Sequence, residues 1–338
     1  MNPSADNPIY TVYLVSGGTK YNVSPALVGI EMSDQKKQIA QSAKVELMNI
    51  RVGNSWLSNL INVRDRVFIY ANDGTMNDEV FRGYVWTRGY TSALTDRTIE
   101  LKCYDNLIYF QESDDSEYFP TAKSTEDILG TFCFKWGIPL KYEYPSILHS
   151  KLALRGKLSD IFTSDVLDLV KDRKGKDYVI LSIKDTMHVR EIGTNSTVHT
   201  IEAGKNAVKT SRVCTMDGMI TKVIILGKAD EDDRQPLESE VWDTSKTNKY
   251  GTLQAILDRD ENTTLKDAQE EAHNIIRENG SPKWEYEVKC RDIPWIRKGD
   301  KVHVNAGDIN NKDLIAVSVD RDISNDQKVM TLTLEEIK

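Results

Sequence analysis

Cysteine is scarce in this 338-residue sequence, and the four that occur are widely separated. No Cys-x-x-Cys spacing joins any two of Cys103, Cys133, Cys214 and Cys290. Scattered single thiols in a chain of this length are typical of a protein made in a reducing compartment, where they stay free and buried. The pattern argues against a secreted scaffold held together by disulfides.

Long apolar runs, a secretion signal and positive charge are also missing. The longest purely apolar run is about Val223–Leu226, whereas a bilayer-spanning helix needs ~20 such residues. Residues 1–6 contain neither a basic nor an apolar region, so we expect no signal peptide. The net charge of −8 argues against stable nucleic-acid binding, because a basic face is needed to neutralise phosphates. We expect a protein that is made soluble in a cytoplasm and does not insert into membranes.

Recognisable catalytic patterns are absent as well. None of the five histidines has metal-ligand spacing, and no serine lies in a Gly-x-Ser-x-Gly context. His303 occupies an alternating strand position, which favours a structural histidine. The Gly17–Lys20 stretch lacks the flanking glycine and the following helix of a phosphate loop, so a hairpin turn explains it better.

Acidic residues cluster twice without forming a known catalytic arrangement. Asp114 and Asp115 lie in a polar stretch, Glu112–Glu117, which is typical of a linker rather than of a glycosidase pair. Residues 230–233 lack the glycine and the terminal glutamate of a calcium loop. Solvated acidic loops are the simpler interpretation of both clusters. We therefore predict no enzyme activity, no cofactor and no metal site.

What the sequence does contain is a stretch that occurs twice. Residues 62–105 lead from Arg64-Asp65-Arg66 through a strand and a polar loop to two further strands. Residues 297–336 repeat this order from Lys298-Gly299-Asp300. We match Asp65 with Asp300 and Ile99 with Leu332, so that the spacing is held to within two residues. Any two antiparallel meanders share hydrophobic alternation, but the matched basic and acidic opening goes beyond it.

Each copy predicts a three-stranded antiparallel meander. Val67 and Ile69, like Val302 and Val304, alternate with polar or amphipathic neighbours, as residues of half-buried strands do. Together with the strands that precede it from Ile9 onward, the first copy favours a closed barrel, which protects strand edges.

The rest of the chain predicts three domains. We assign residues 1–112 to a first barrel, 113–205 to a small α+β domain, and 206–338 to a second barrel with an inserted helix at 263–279. The middle domain contains two predicted helices, the first capped by Ser124 and the second ending near Gly175. A hairpin about Lys184-Asp185 follows them. The predicted fold class is mainly β (α+β), with two similar β-barrel domains flanking the small α+β domain.

Three segments resemble a known family. They are the approach Ile293–Val302 to the last meander, Gly251–Gln254 leading into the Thr264–Asn279 helix, and the Ser159–Ile192 helix-hairpin unit. Their order resembles the tail hub proteins of contractile-tailed phages and covers most of the chain. Within that group the chain is similar to the XkdQ-like hubs of prophages and of phage-tail-like bacteriocins (tailocins) of Gram-positive bacteria. No lysozyme-like or peptidase-like segment occurs in the sequence, so we expect no hydrolase activity.

The resemblance implies a structural baseplate hub of a contractile injection system. Its homotrimer would form a pseudo-six-fold ring that joins the hexameric tail tube to the trimeric central spike. The implied partners are the tail tube protein, the central spike protein, the tape measure protein, and other baseplate or wedge proteins. Such a hub is assembled in the bacterial cytoplasm and becomes part of the virion or tail-like particle. The duplication gives an independent reason, because three chains with two barrels each supply six near-equivalent units.

Candidate interface residues are basic or aromatic side chains beside the second and first copies of the meander, namely Arg64, Arg66, Trp295, Lys298 and Lys301. The basic ones could blunt exposed strand edges, whereas Trp295 is either a partner anchor or a core aromatic. Candidate lumen residues are acidic, namely Asp114, Asp115, Asp230, Asp232 and Asp233. An acidic or neutral channel would not bind nucleic acid that passes through it.

Two other functions stay open from the sequence alone. A cell-wall (peptidoglycan) hydrolase associated with the tail would need carboxylates that pair only in space, and a turnover assay on peptidoglycan would detect it. A carbohydrate-binding β-protein would need exposed aromatic side chains on one barrel face.

Overall fold

The computed structural model describes residues 3–93, 97–229, 234–259, 263–324 and 327–337. The chain groups into two compact units, Met1–Ser211 with Tyr286–Lys338, and Arg212–Glu285. This division is coarser than the three predicted domains, whose boundaries stay predictions. No helix in the described ranges is long and apolar enough to cross a membrane.

The described part of the first 112 residues is dominated by strands. In chain order its elements are β1 (Ile9–Ser16), β2 (Thr19–Asn22), a 3-10 turn (Ser24–Ala26), β3 (Leu27–Asp34), β4 (Ser42–Met48), β5 (Arg51–Val52), β6 (Ser55–Trp56), α1 (Leu57–Leu60), β7 (Arg66–Asn72), β8 (Asn77–Ser92), β9 (Arg97–Tyr104) and α2 (Ile108–Glu112). Val12 and Leu14 of β1 are buried and their neighbours half-buried, which is the predicted alternation. The predicted hairpin turn is confirmed, because Gly17 and Gly18 both have positive φ between paired strands.

The middle part has a core of its own. Its elements are β10 (Asp114–Phe119), β11 (Lys123–Ser124), α3 (Thr125–Lys135), β12 (Leu140–Glu143), β13 (Leu148–His149), β14 (Leu152–Lys157), α4 (Leu158–Asp160), a π-helical segment (Ile161–Leu167), α5 (Asp168–Lys174), β15 (Tyr178–Ile183), β16 (Thr186–Glu191) and β17 (His199–Glu202). Phe110, Phe132 and Phe162 stack edge-to-face at its centre. The predicted cap of α3 is confirmed, because the Ser124 hydroxyl accepts a hydrogen bond from Asp127 N at 3.1 Å.

The predicted acidic linker at Glu112–Glu117 is wrong. Most of this stretch forms β10, which pairs antiparallel with β14. The prediction was based on the polar composition of the stretch. It failed because side chains from another element pair with the Asp115 carboxylate. Lys135 Nζ lies 2.6 Å from Asp115 Oδ1, and Trp136 Nε1 donates to Asp115 Oδ2 at 2.8 Å. A carboxylate that is paired in this way is compatible with a half-buried strand.

The predicted second helix of the middle part is confirmed, with a π-helical segment in its centre. It runs from Leu158 to Lys174, and Gly175 with φ of 66° ends it. Phe162 and Val166 of the wider segment are buried, whereas the side chain of Leu169 is exposed.

The rest of the chain completes the large sheet and forms the second unit. The elements are β18 (Ala207–Thr215), β19 (Lys222–Leu226), β20 (Leu237–Trp242), α6 (Thr244–Tyr250), β21 (Gln254–Asp258), α7 (Leu265–Asn279), β22 (Lys283–Arg291), β23 (Lys301–Ala306), β24 (Ile309–Ser324) and β25 (Lys328–Glu336). In the second unit, β20, β19 and β21 form a three-stranded sheet, on which α7 packs through Ala268, Ala272 and Ile276. The inserted helix is confirmed, and the strand at 222–226, expected in the barrel, belongs to this small sheet.

Two parts of the large sheet have the same strand order. The orders β7-β8-β9-β4-β3 and β23-β24-β25-β22-β18 occur in one 13-stranded sheet, and each part has its own apolar core. The predicted fold class, mainly β with two similar barrels, is therefore confirmed. The expected closure is not made within one chain, because the described strand path is open at β2 and at β18. The copies also diverge at one edge, where β1 is antiparallel to β7 but β17 is parallel to β23.

The predicted equivalence of Asp65 and Asp300 is confirmed by a shared turn. The Asp65 carboxylate accepts a hydrogen bond from Asn62 N at 2.6 Å, and the Asp300 carboxylate accepts one from Arg297 N at 2.8 Å. In each case the aspartate N also donates back to the carbonyl of that residue. Each aspartate therefore fixes the entry into the first strand of its meander.

The contact of this turn with the long strand is also repeated. Val85 N in β8 and Ala316 N in β24 each donate to the carbonyl of the turn aspartate at 2.8 Å. The residue before the aspartate has positive φ in both copies, 71° at Arg64 and 84° at Gly299. Glycine adopts this conformation without steric cost, whereas arginine is strained in it.

The predicted match of Ile99 with Leu332 is wrong by two residues. Ile99 pairs with Tyr90 and Met330 pairs with Arg321, and these partners lie equally far along their strands from the turn contact. Ile99 is therefore equivalent to Met330. A slip of two residues leaves the same side chains facing the core, so alternation in the sequence does not reveal it.

Candidate functional site

Titratable side chains of the described residues make several contacts within the chain. No group of three or more described His, Cys, Asp or Glu side chains is arranged to hold a metal ion. Burial raises the pKa of the Cys133 and Cys290 thiols to about 12, far from the range of a reactive thiolate. His303 pairs with Asp313 (Nδ1–Oδ1, 2.7 Å) and is partly exposed, as a structural histidine was expected to be. What the geometry builds instead is a junction between the barrels.

The junction is formed by β3 of the first barrel and the second half of β24 in the second barrel. Six residue pairs, from Asp34–Val319 to Gly29–Ser324, form an antiparallel ladder. The first half of β24 pairs with β23, so β3 takes over the same side of the strand where β23 ends. One uninterrupted sheet thus joins the two cores.

A buried ionic network lies at this ladder. Arg321 is 4% exposed, and its Nε donates to Asp292 Oδ1 at 3.0 Å. Its terminal nitrogen donates to carbonyl groups of the loop 293–296. Tyr10 of β1 donates to the second Asp292 oxygen. Burial raises the pKa of Asp292 and of Tyr10, and Arg321 opposes the rise in both cases.

A second ion pair connects the loop before β23 with the end of β3. Lys298 Nζ lies 3.0 Å from Asp34 Oδ1, and both residues are buried. The same ammonium group donates to the carbonyl groups of Gln35 at 3.1 Å and Gln38 at 2.6 Å. All three ammonium hydrogens therefore have acceptors inside the chain, which lowers the cost of burying the charge.

Trp295 contributes to the same junction. It belongs to the loop that enters the second barrel, yet it packs against the core of the first barrel. Its Nε1 donates to Asp73 Oδ2 at 2.6 Å. Burial opposes ionisation of Asp73, but hydrogen bonds from Trp295, Thr75 and Met76 hold its pKa well below the usual range. Of the two alternatives for Trp295, these contacts favour the core aromatic.

The middle part contacts both barrels through the β15–β16 hairpin. The Asp185 carboxylate at the hairpin turn accepts hydrogen bonds from Arg66 at 2.6 Å and Arg82 at 3.2 Å, both in the first barrel. Arg190 of β16 pairs with Asp300 of the second barrel at 2.5 Å. The turn aspartate of the second copy therefore has two roles, shaping its own turn and binding the hairpin.

The predicted interface residues divide into internal and surface residues. Lys298 is only 5% exposed and pairs with Asp34 within the chain, and its role between subunits stays a prediction. Arg66 and Trp295 likewise hydrogen-bond within the chain. Arg64 is exposed at the turn and Lys301 is half-buried, so these two remain candidates for contact with a partner.

Two of the five predicted lumen residues lie in the described structure, and the lumen role of all five stays a prediction. Asp114 is exposed on β10. Asp115 is half-buried, and although burial would raise its pKa, hydrogen bonds from Lys135 and Trp136 lower it. It is therefore a partnered carboxylate, with Lys135 and Trp136 as its partners. Asp230, Asp232 and Asp233 lie outside the described residues.

Sequence reasoning missed a polar face on the joint sheet. Outward-facing side chains form rows across the junction, such as the row of Lys102, Lys44, Glu31 and Asp322 on β9, β4, β3 and β24. Lys44 Nζ lies 3.3 Å from Glu31 and 3.2 Å from Glu100. These residues and their neighbours line a depression of about 490 Å³. The polar positions of the alternation were visible in the sequence, but their alignment across four strands was not.

Residues 30–335 of the chain match the model of a protein family described as YQBQ-like. No curated protein sequence matches the chain. Among solved structures, the 43 kDa tail protein of prophage MuSo2 from Shewanella oneidensis is 12% identical, with a TM-score of 0.68 over 97% of this chain and 98% of that one. A tail protein from Neisseria meningitidis MC58 is 10% identical, with a TM-score of 0.68 over 97% and 96%. The prophage tail protein gp18 from Listeria monocytogenes EGD-e is 14% identical, with a TM-score of 0.57 over 96% and 94%. At these identities the likeness shows a shared fold.

Proposed function

The chain belongs to the YQBQ-like family, and from that premise we propose that it is a structural component of a phage-tail baseplate. The proposal is supported by a fold that the chain shares, over almost its full length, with prophage tail proteins. More finely, we propose a hub of the XkdQ-like kind in a contractile phage tail or a tailocin.

The observation that carries the proposal is the duplicated sheet, whose copies are joined side by side in one chain. A homotrimer of such chains presents six similar barrels and true three-fold symmetry at the same time. A ring of this kind suits the joint between a hexameric tail tube and a trimeric central spike.

A ring adaptor also needs its two barrels held in a fixed relation. The buried Arg321–Asp292 and Lys298–Asp34 pairs supply direction-specific contacts at the barrel junction. Removing one partner of such a pair leaves an uncompensated buried charge, so the paired arrangement is strongly preferred over distorted ones. We propose that these buried ionisable groups stabilise the barrel junction and that the chain has a structural role without catalysis.

We propose that the polar face of the joint sheet lines the lumen of the ring. Its depression is lined by basic and acidic side chains in similar number, namely Lys44, Lys102, Lys289, Glu31, Glu100, Asp320 and Asp322. A face of mixed charge does not accumulate the positive potential that binds nucleic acid. In this proposal the side chains of the polar face line the lumen, whereas the sequence alone assigned Asp115 to it.

The proposed partners are the tail tube protein, the central spike protein, the tape measure protein and other baseplate or wedge proteins. The chain would assemble with them in the bacterial cytoplasm and remain in the virion or tail-like particle. No observation on the described residues favours the hydrolase. The carbohydrate-binding alternative needs exposed aromatic side chains, and Trp86 and Tyr90 of β8 are exposed; we assign them to a contact with another strand below. Release of peptidoglycan fragments by the pure chain, abolished by a single carboxylate substitution, would contradict the non-catalytic role.

The experiment that tests the proposal counts the copies of the chain in the assembled particle. We expect electron cryomicroscopy of purified tails to show three copies around the axis, each contributing two similar barrels to one ring. Two copies or six copies around the axis would contradict the proposal. The particle is the right object, because subunits can remain monomeric until a spike or tube partner arrives.

A further inference from the structure

The second half of the long strand has opposite surroundings in the two barrels. In β24, Val319 and Ile323 are buried, and β3 lies along this half. In β8 the equivalent half, Trp86–Ser92, is paired only with β9 among the described strands. The equivalents of Val319 and Ile323 there are Arg88 and Ser92, which are both exposed. Trp86 and Tyr90 in the same half are 41% and 50% exposed. One of two equivalent strand edges is therefore covered, and the other is bare.

The segment before β7 does not take the place of β3 at the bare edge. It approaches β8 through the side chain of Arg88, which donates to the carbonyl groups of Ser58 and Ile61. No strand pairing accompanies this contact among the described residues. The backbone of Trp86–Ser92 therefore keeps one edge available for a strand.

A matching difference separates β3 from β18, which lie at equivalent positions outside β4 and β22. Ile30 and Met32 of β3 are buried, whereas Val208 of β18 is 60% exposed. Arg291 N donates to Asn206 O, so the start of β18 lies beside the end of β22, as expected for an antiparallel neighbour. Beyond β18 the described sheet ends.

Bare edges of this kind favour association with another strand. Unpaired backbone N–H and C=O groups form a template for pairing, and exposed apolar side chains add to the attraction. Neither 86–92 nor 207–215 contains a proline that would block pairing. The chain itself shows which strand fits, because β24 accepts β3 at the equivalent place. By the same geometry, the bare half of β8 fits a strand equivalent to β3, and that strand is β18.

We propose that β18 of one copy pairs antiparallel with Trp86–Ser92 of β8 in the next copy of this chain. This inference rests on the proposed ring, and it names the surface through which the ring closes. The contact repeats the β3–β24 junction with the barrels exchanged, so one type of junction alternates within and between chains. Because the two edges are different, the interface is heterologous, as closure into a ring requires.

The test places a photo-reactive group at the bare edge in purified tail particles. In the variant Tyr90→p-benzoylphenylalanine, we expect light to cross-link position 90 to β18 of another copy, identified by mass spectrometry of the joined peptides. Tyr118→p-benzoylphenylalanine is the matched control, because Tyr118 is a strand tyrosine with 53% exposure on β10. We expect no cross-link from position 118 to β18.

The outcomes separate this inference from the proposed function. A cross-link from position 90 to β18 of another copy supports the inference. A cross-link to any other segment, or none at all, overturns it, even if three copies surround the axis of the same particles. A particle with two or six copies would contradict the proposed function instead. Melting temperatures of the two variants equal to that of the unmodified chain would show that the substitutions leave the fold intact.

Discussion

The two barrels are built from the same five-strand arrangement but differ in what surrounds their long strands. Around β24, the half strand beyond the bulge is covered by β3, and Arg321 there is buried in an ionic network. Around β8, the equivalent residue Tyr90 is half exposed, and no described strand lies beside it on that side. A duplication within one chain can satisfy only one of the two equivalent junctions internally. The second must be made with another copy or stay open.

The same comparison holds where the barrels contact the middle part. The first barrel presents arginines, Arg66 and Arg82, to an aspartate of the hairpin, whereas the second presents Asp300 to Arg190. The contacting positions are not equivalent, because Asp300 matches Asp65, but the charges that the two barrels present to the hairpin are opposite. The two copies have therefore kept their backbone and diverged in their partners, which allows a single hairpin to distinguish them.

The largest expected effect on stability comes from Arg321. It is buried in β24, whereas Tyr90, at the equivalent position of β8, is half exposed. Arg321→Met leaves Asp292 buried without its partner and should lower the free energy of unfolding by about 3–5 kcal/mol. Tyr90→Met at the exposed equivalent position should change it by less than about 0.5 kcal/mol. Urea unfolding midpoints of the two variants measure the difference. Equal losses would show that the two positions are not in different environments.

The next effect is on the pH dependence of stability. Asp105 and its equivalent Glu336, at the ends of β9 and β25, should differ in it. Burial is the main cause that raises the pKa of Asp105 to about 7, whereas a hydrogen bond from Lys312 lowers the pKa of Glu336. Because the pKa of Asp105 is higher in the folded than in the unfolded state, this residue contributes to the free energy of unfolding in full below about pH 4. That contribution is lost as the pH rises through about 7. The loss amounts to roughly 4 kcal/mol at most.

Unfolding of the Asp105→Asn variant across this pH range checks the assignment. We expect stability to fall less steeply between about pH 4 and pH 7 than in the unmodified chain, because an amide does not titrate. Glu336→Gln is the control and should leave the slope above about pH 6 unchanged, because a glutamate with a lowered pKa is ionised there in both the folded and the unfolded state. An unchanged slope in Asp105→Asn would mean that this carboxylate is ionised throughout the window.

A smaller effect tests the packing at Gly83, whose equivalent in β24 is Leu314. A Cβ at Gly83 would lie 2.1 Å from the Tyr104 carbonyl oxygen, so Gly83→Ala must displace backbone. Overpacking of this kind should cost about 1–3 kcal/mol. Gly89→Ala on the same strand is the control, because its Cβ would meet nothing closer than 3.7 Å. Similar melting temperatures for both variants would contradict the close approach in the first barrel.

The smallest expected effect is on association through the two bare edges. Tyr90→Asp blocks the β8 edge and Val208→Asp blocks the β18 edge, and each should weaken self-association at least tenfold, about 1.4 kcal/mol. Neither variant alone should associate, but their mixture should form a dimer, because one intact edge of each kind remains. Sedimentation of each variant and of the mixture measures this, at a protein concentration at which the unmodified chain associates. Dimers of Val208→Asp alone would contradict a heterologous interface.

The sequence predicts the local features of the fold well, because they depend on neighbouring residues. The Ser124 cap, the Gly17-Gly18 turn and the equivalence of Asp65 with Asp300 all follow from short-range chemistry. The match of Ile99 failed because a slip of two residues preserves the alternation on which it was based. The acidic linker failed because the partners of Asp115 come from another element.

The candidate site was predicted less well, for the same physical reason. Lysine and arginine beside a strand look like surface charges in a sequence, and Arg64 is indeed exposed. Lys298 is buried because Asp34, far away along the chain, and two carbonyl groups lie within reach of its ammonium group. Whether a charge is solvated or paired depends on such distant partners, which no local pattern contains.

By itself, the sequence determined the strands, the turns, the capped helices and the repeat, since alternation, glycine and aspartate turns and capping residues act over a few residues. Only the tertiary structure decided that β3 covers β24 while the same edge of β8 stays bare. It also decided that three strands accompany α7 in the second unit. Strand pairing and burial join residues that are hundreds of positions apart, and the backbone groups that form these contacts are chemically alike in every strand. Their choice of partner therefore depends on the folded arrangement of the whole chain.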